Sequence, residues 1–168
     1  METPDFKFNI PDDQFKYLEY NVEPFNNPED IANWVVQGYG NKFTGAMCDM
    51  RKLQPEWTKD IVNEFSEFGW LDIGTSFYRM DTGTILPVHI DTYKKYIELY
   101  NLKGKEHTIR RAIILLEDWK SGHYLEIDNV SYTNWHQGDC YYWINDKPHM
   151  AANIGLEPRY TLQITGHK

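Results

Sequence analysis

The feature that most limits what this chain can fold into is the regular punctuation of its second half. From residue 70 onward, short apolar or alternating runs follow one another, each closed by turn-forming residues. "SFYRM" gives way to "DTG" and then "TILPVHID". "RRAIILLEDW" passes through "SG" into "HYLEI". "DN" introduces "VSYTNW", "QGD" introduces "CYYWI", and "HMAAN" and "RYTLQITG" complete the series. Runs rich in β-branched and aromatic residues between Gly, Asn and Asp predict strands joined by tight turns. About eight of them in succession predict a β-sandwich or jelly-roll barrel. "RRAIILL" has the unbroken apolar character of a strand buried on both faces. A longer connection, Thr92 to Thr108, interrupts the pattern; in a sheet domain such an insertion serves as a lid, a binding loop or a solvated connector.

Before residue 70 the periodicity is helical. "NPEDIANWVV" offers Asn27 as a cap, Pro28 in the first turn and acidic residues where the helix dipole favours them. "QPEWTKDIVNEFSEFG" places Trp57, Ile61, Phe65 and Phe68 on one face and stops at Gly69. The reading is one mainly β domain over 1–168. Residues 1–69 form a helical flank packed on a barrel core of residues 70–166.

Composition narrows the function classes. With 41% hydrophobic and 15% aromatic residues the chain can bury a core, which excludes a disordered segment. A net charge of −8 disfavours a phosphate backbone as partner, so no nucleic acid is expected. No apolar run approaches the length of a bilayer span and "METPDFKFNIPDD" lacks a secretory pattern, so a cytoplasmic location without membrane attachment is expected. Cys48 and Cys140 have neither metal-ligand spacing nor a disulfide framework and read as buried spectator thiols.

The chemistry-bearing residues begin with "HID". His89 and Asp91 stand at i and i+2, which on a strand puts both side chains on one face. Alone, the pair is equally a strand-end histidine bonded to its neighbour. His149, ten residues before Arg159, supplies a second imidazole at the head of a later strand. Two histidines and one carboxylate, with further positions open, are the ligand set of non-haem Fe(II) oxygenases. His123 and His136 have no carboxylate two residues away and read as non-ligands. Glu126 and Asp128 read as an outward strand face.

"HID" followed by "PHMAANIGLEPRYTLQITG" resembles the His-x-Asp…His…Arg signature of the Fe(II)/2-oxoglutarate-dependent dioxygenase superfamily. "RRAIILL" and "GD…H…R" are most similar to its aspartyl/asparaginyl β-hydroxylase-like branch. The resemblance covers about residues 70–166 and implies a double-stranded β-helix, a jelly-roll or cupin-like barrel. It implies Fe(II) on His89, Asp91 and His149, and Arg159 facing the distal carboxylate of 2-oxoglutarate in a bidentate pair. Arg111, or Arg110 if the strand phase shifts by one, and Tyr78 would also contact the cosubstrate. Arg159 has an alternative as an ion-pair partner of Glu157, and Tyr78 as ordinary barrel packing. The implied reaction uses O2, converts 2-oxoglutarate to succinate and CO2, and hydroxylates an amino-acid side chain, free or in a peptide. Protein β-hydroxylases of that branch lack the carboxylate ligand that this chain keeps in Asp91, and halogenating relatives leave that position open for chloride, so hydroxylation is expected. Two alternatives stand beside it: a cupin-type metal enzyme without 2-oxoglutarate, and a non-catalytic jelly-roll binding module.

Overall fold

The computed structural model describes residues 3–22, 25, 27–39, 46–49 (main chain only) and 54–168. In chain order the elements are β1 (Phe6–Lys7), β2 (Asn21–Val22), α1 (Pro28–Val36), β3 (Ala46–Asp49), α2 (Thr58–Glu67), β4 (Leu71–Met80) and β5 (Thr84–His89). They continue with α3 (Lys94–Leu99), β6 (Ile109–Leu115), β7 (His123–Ile127), β8 (Val130–Tyr132), β9 (Asp139–Ile144), β10 (His149–Asn153) and β11 (Arg159–His167). Each of the eight runs read from the sequence forms a strand, β4 to β11.

Among the described residues the strands make two antiparallel sheets, β1-β9-β6-β11-β4-β3-β2 and β5-β10-β7-β8. From β4 onward the chain passes from one sheet to the other at every step except the hairpin β7–β8, and β4, β6, β9 and β11 face β5, β7, β8 and β10. This winding is the double-stranded β-helix, a cupin-type jelly roll with N-terminal helices. The strand alternation separates two cores. Ile113, Leu115, Tyr141 and Trp143 of the larger sheet meet Leu125 and Ile127 of the smaller one inside the barrel. Ala112, Ile114, Phe77, Leu162 and Ile164 point the other way, onto Ile61 and Phe65 of α2 and onto Phe8 and Phe15. Each fully buried aromatic there contributes about 2–3 kcal/mol of apolar burial.

The flank departs from a purely helical reading, because β1, β2 and β3 extend the two edges of the larger sheet. The open edges of β9 and β4 present unpaired N–H and C=O groups that these segments satisfy; runs of two to four residues carry no period that a sequence could show. Both helices form as expected. The Asn27 side chain accepts from the Glu29 N–H at 3.2 Å, capping α1. Ile61 and Phe65 of α2 and Trp57 at its N-terminal cap are buried, whereas Phe68 at its C-terminal cap sits at the rim stacked on Phe6 at 4.8 Å between ring centres. Gly69 ends the helix at φ +81°, a left-handed conformation that glycine adopts at no steric cost.

The 92–108 connection is structured. It carries α3 and a 3-10 turn, and Tyr93, Leu102 and Ile109 bury one another with Tyr96, Ile97 and Tyr100. The Tyr96 hydroxyl donates to the Asp72 carbonyl at 2.9 Å, which ties the connection to the start of β4. Cys140 is a buried free thiol, as expected, while the side chain of Cys48 lies outside the described residues. No helix among the described residues is long and apolar enough to cross a membrane.

Candidate metal centre

Strand register brings the two histidines together. His149, first residue of β10, pairs directly with His89, last residue of β5. Side chains on directly opposed residues of adjacent strands share a face, and here the imidazole centres are 4.3 Å apart. Asp91 lies two residues beyond His89, the last paired residue of β5, and its carboxylate meets both rings as the i, i+2 spacing expects. Tyr93, two residues further on, is left-handed at φ +50° and opens α3. Asp91 Oδ1 lies 3.8 Å from His89 Nε2 and Oδ2 lies 3.8 Å from His149 Nε2. One ligand atom from each of the three falls within 4.8 Å of the others, the group of this kind found among the described residues.

The donor set suits a cation. His89 Nδ1 is 2.8 Å from the Pro87 carbonyl and His149 Nδ1 is 3.0 Å from the Lys147 carbonyl. A carbonyl can only accept, so each Nδ1 carries the proton and each Nε2 presents a lone pair toward the other ligands. Fixing the tautomer in this way is how metal-ligating histidines are oriented. His89 also packs edge-on against Phe25 at 5.0 Å and Trp34 at 6.1 Å, and His149 lies 4.9 Å from Trp143. These rings keep the two imidazoles out of bulk water. The N-terminal flank therefore reaches the site, a contribution that nothing in the spacing of Phe25 or Trp34 announces.

Burial pushes the His149 imidazole down to about 4, with Asp91 opposing the shift. For Asp91, burial favours the neutral form, but the Arg111 guanidinium and the two imidazoles hold its carboxyl well below the usual range. His149 is thus neutral and Asp91 ionised at neutral pH, the forms in which each can donate to a cation. The unfolded chain protonates His149 near its ordinary 6.5 and the folded chain does not until about 4. Its contribution to stability is therefore complete above pH 6.5 and declines as the pH falls through that window. Urea midpoints of chelator-treated protein are expected to drop between pH 6.5 and 4, with roughly 3 kcal/mol attributable to this one ring. A His149→Gln chain should show a shallower slope.

The arginines separate cleanly. Arg110 points outward, donating to the His107 and Ile109 carbonyls. Arg111 points into the barrel, but its guanidinium is engaged by protein. Nη2 and Nε donate to Asp91 Oδ2 at 2.9 and 3.2 Å, and Nη1 donates to Thr165 Oγ1 at 2.7 Å. Burial opposes its charge, and Tyr93, Asp91 and Tyr78 more than offset that. Tyr78 lies on the barrel-facing side of β4, opposite Thr161, within electrostatic reach of Arg111.

Arg159 is different. It faces inward from β11 and is 6% exposed. Its side chain crosses the interior to donate from Nη1 to the Tyr124 carbonyl on β7 at 2.6 Å. Its Nε has no acceptor among the described residues, and burial pushes the group down to about 10. Glu157, the alternative partner in sequence, pairs instead with Lys120 at 2.8 Å. Tyr124 pairs with Ala152, three residues along β10 from His149, which sets Arg159 about 10 Å from the triad along the strand direction.

The remaining candidates have structural work. His123 Nε2 bonds the Glu157 carbonyl at 2.9 Å and its ring stacks near Trp135, while His136 is on the surface. Glu126 accepts from Tyr124 and Asp128 pairs with Lys147.

No protein-family model matches the sequence, and a search of curated proteins finds no match. Solved structures do match in fold. A prolyl-4-hydroxylase from Pseudomonas putida superposes with a TM-score of 0.56 at 13% identity, covering 92% of this chain and 95% of its own. The plu4264 protein from Photorhabdus luminescens gives 0.47 at 10% identity, with coverages of 79% and 82%. The cupin domain of Cnp3 from Schizosaccharomyces pombe gives 0.45 at 9% identity, and this chain spans 73% of itself and 61% of that domain. At 13% identity what the prolyl-4-hydroxylase shares with this chain is the fold.

Proposed function

We propose that this chain is an Fe(II)- and 2-oxoglutarate-dependent oxygenase that hydroxylates an amino-acid side chain, free or within a peptide. The observation that carries the reading is a pairing inside one barrel. A His-Asp-His triad with both Nε2 lone pairs turned inward stands about 10 Å along the strand direction from a buried guanidinium that meets no anion among the described residues. A dicarboxylate that chelates a cation through one end has a length comparable to that separation.

His89, Asp91 and His149 would hold the iron, which with 2-oxoglutarate and O2 supplies the oxidising chemistry, leaving succinate and CO2. The protein's own part is positional. Arg159 would take the distal carboxylate in a charge-assisted pair, filling the vacant Nε with an acceptor. Phe25, Trp34 and Trp143 shield the imidazoles from water. Asp91 occupies the position that distinguishes hydroxylation from chloride-dependent chemistry. The superposition on a prolyl hydroxylase agrees in fold with this reading.

Anaerobic titration with Fe(II) and then 2-oxoglutarate tests it. A weak visible charge-transfer band that needs both additions is expected, followed by succinate release with one member of an amino-acid and peptide panel. Metal binding with no spectral or thermal response to 2-oxoglutarate would favour a cupin enzyme of another kind. No metal binding at all would favour a binding module.

A further inference from the structure

Asp91 offers its two oxygens unequally. Oδ2 receives two N–H bonds from Arg111, at 2.9 and 3.2 Å, and lies 3.8 Å from His149 Nε2. Oδ1 lies 3.8 Å from His89 Nε2 and takes no bond from Arg111, and the Tyr93 hydroxyl is within electrostatic reach of the carboxylate. The guanidinium that does this is itself held on three sides. Asp91 takes one edge, Thr165 Oγ1 takes Nη1 at 2.7 Å, and the Tyr93 ring lies over its face at 5.1 Å. Thr165 pairs directly with Arg111 across β11 and β6, so the contact is set by strand register. Tyr93 is held at φ +50°, a conformation costing a bulky residue about 1–2 kcal/mol. The left-handed residue two positions after Asp91 lays its ring on Arg111.

We infer that Arg111 is a positioning residue for the metal centre, with Thr165 and Tyr93 as its supports. It immobilises Oδ2 so that Asp91 presents the single oxygen Oδ1 to a cation and leaves the neighbouring coordination position open. This rests on the metal reading above and assigns Arg111 a role other than contact with the cosubstrate. A guanidinium beside a dication also repels it, so deleting the charge would mix two opposed effects. Variants that keep the charge and lose the geometry isolate the positioning.

Arg111→Lys retains the cation but cannot reach Oδ2 twice and Thr165 at once. Mn(II) affinity measured by calorimetry should fall about tenfold or more, the range seen when groups that orient a ligand are lost. The visible spectrum of the Co(II) form should change, as Asp91 becomes free to turn both oxygens to the ion. Thr165→Val removes one hydroxyl at constant charge and nearly constant volume, and should shift both readouts in the same sense by a smaller factor. Thr165→Ser should restore them. Should Arg111→Lys fail to fold, the Thr165 pair decides. Wild-type Mn(II) affinity and an unaltered Co(II) spectrum in Thr165→Val and in any folded Arg111→Lys, while His149→Ala loses both metals, would overturn the positioning role and leave the metal reading intact. Unchanged Co(II) binding in His149→Ala would remove the metal reading, and this inference with it.

Discussion

His149→Ala is expected to abolish stoichiometric binding of Mn(II), Co(II) and Ni(II) while leaving the chain folded. Total binding energies of protein cation sites are on the order of 10 kcal/mol. Removing one of three protein donors therefore removes several kcal/mol, roughly a thousandfold or more in affinity. The fold has little at stake in the same side chain. His149 pairs with His89 and Ile127 through its main chain, which alanine preserves. What is lost is the Nδ1 bond to the Lys147 carbonyl, worth about 1 kcal/mol, and the contact with Trp143. Burial also disfavours the charged ring in the metal-free state, so truncation relieves any acid sensitivity that it causes. The expected pattern is native circular dichroism, a melting temperature that no longer rises with added metal, and no saturable heat of Mn(II) binding. His123→Ala serves as the opposite control. Its ring is tied to the Glu157 carbonyl away from the triad, so that variant should lose stability and keep the metal. Saturable one-to-one Mn(II) binding in His149→Ala would eliminate the proposed centre.

The strands and the two histidines were legible because their signals are local or follow from order along the chain. Turn residues mark each strand end, and a strand-end His followed by a later strand-head His are paired once the barrel winds. Other parts of the site are legible only in three dimensions. Asp91 shares a face with His89 in a strand-period reading and does meet it, but the left-handed Tyr93 that follows belongs to no favoured residue class there. The tryptophans read simply as core, but Trp34 of α1 stands against His89 at 6.1 Å between ring centres, a tertiary placement without sequence period. Arg111 and Arg110 were indistinguishable until phase was known. The partner of Arg111 could not be read at all, since Asp91 is twenty residues away and on a separate segment. The edge strands β1 to β3 escaped for a simpler reason: strands of two to four residues are recruited by an open edge more than by their own propensity.

Arg159→Met is expected to make the chain more stable and unable to respond to 2-oxoglutarate. The guanidinium is enclosed, has no carboxylate partner among the described residues, and leaves Nε without an acceptor. Burial pushes it down from the ordinary arginine range to about 10, which corresponds to roughly 3 kcal/mol of opposition to the charge. Methionine fills similar space without that cost, and forfeits the bond to the Tyr124 carbonyl, about 1 kcal/mol. The net expectation is a gain of about 2 kcal/mol, seen as a melting temperature higher by roughly 4–8 °C for a chain of this size. Replacing unpaired buried charges with apolar groups has this sign in general. In the same variant Mn(II) should still raise the melting temperature, because the triad is intact, whereas 2-oxoglutarate should add nothing. Losing a buried charge-assisted pair costs about 2–5 kcal/mol, so cosubstrate affinity should fall by roughly two to three orders of magnitude. Arg159→Lys keeps the charge without the fork and should lie between. The opposite signs of the two effects carry the argument. A guanidinium placed for packing or for its one bond to Tyr124 would lower stability when removed and leave 2-oxoglutarate binding untouched. One held ready for an anion raises stability when removed and takes the binding with it.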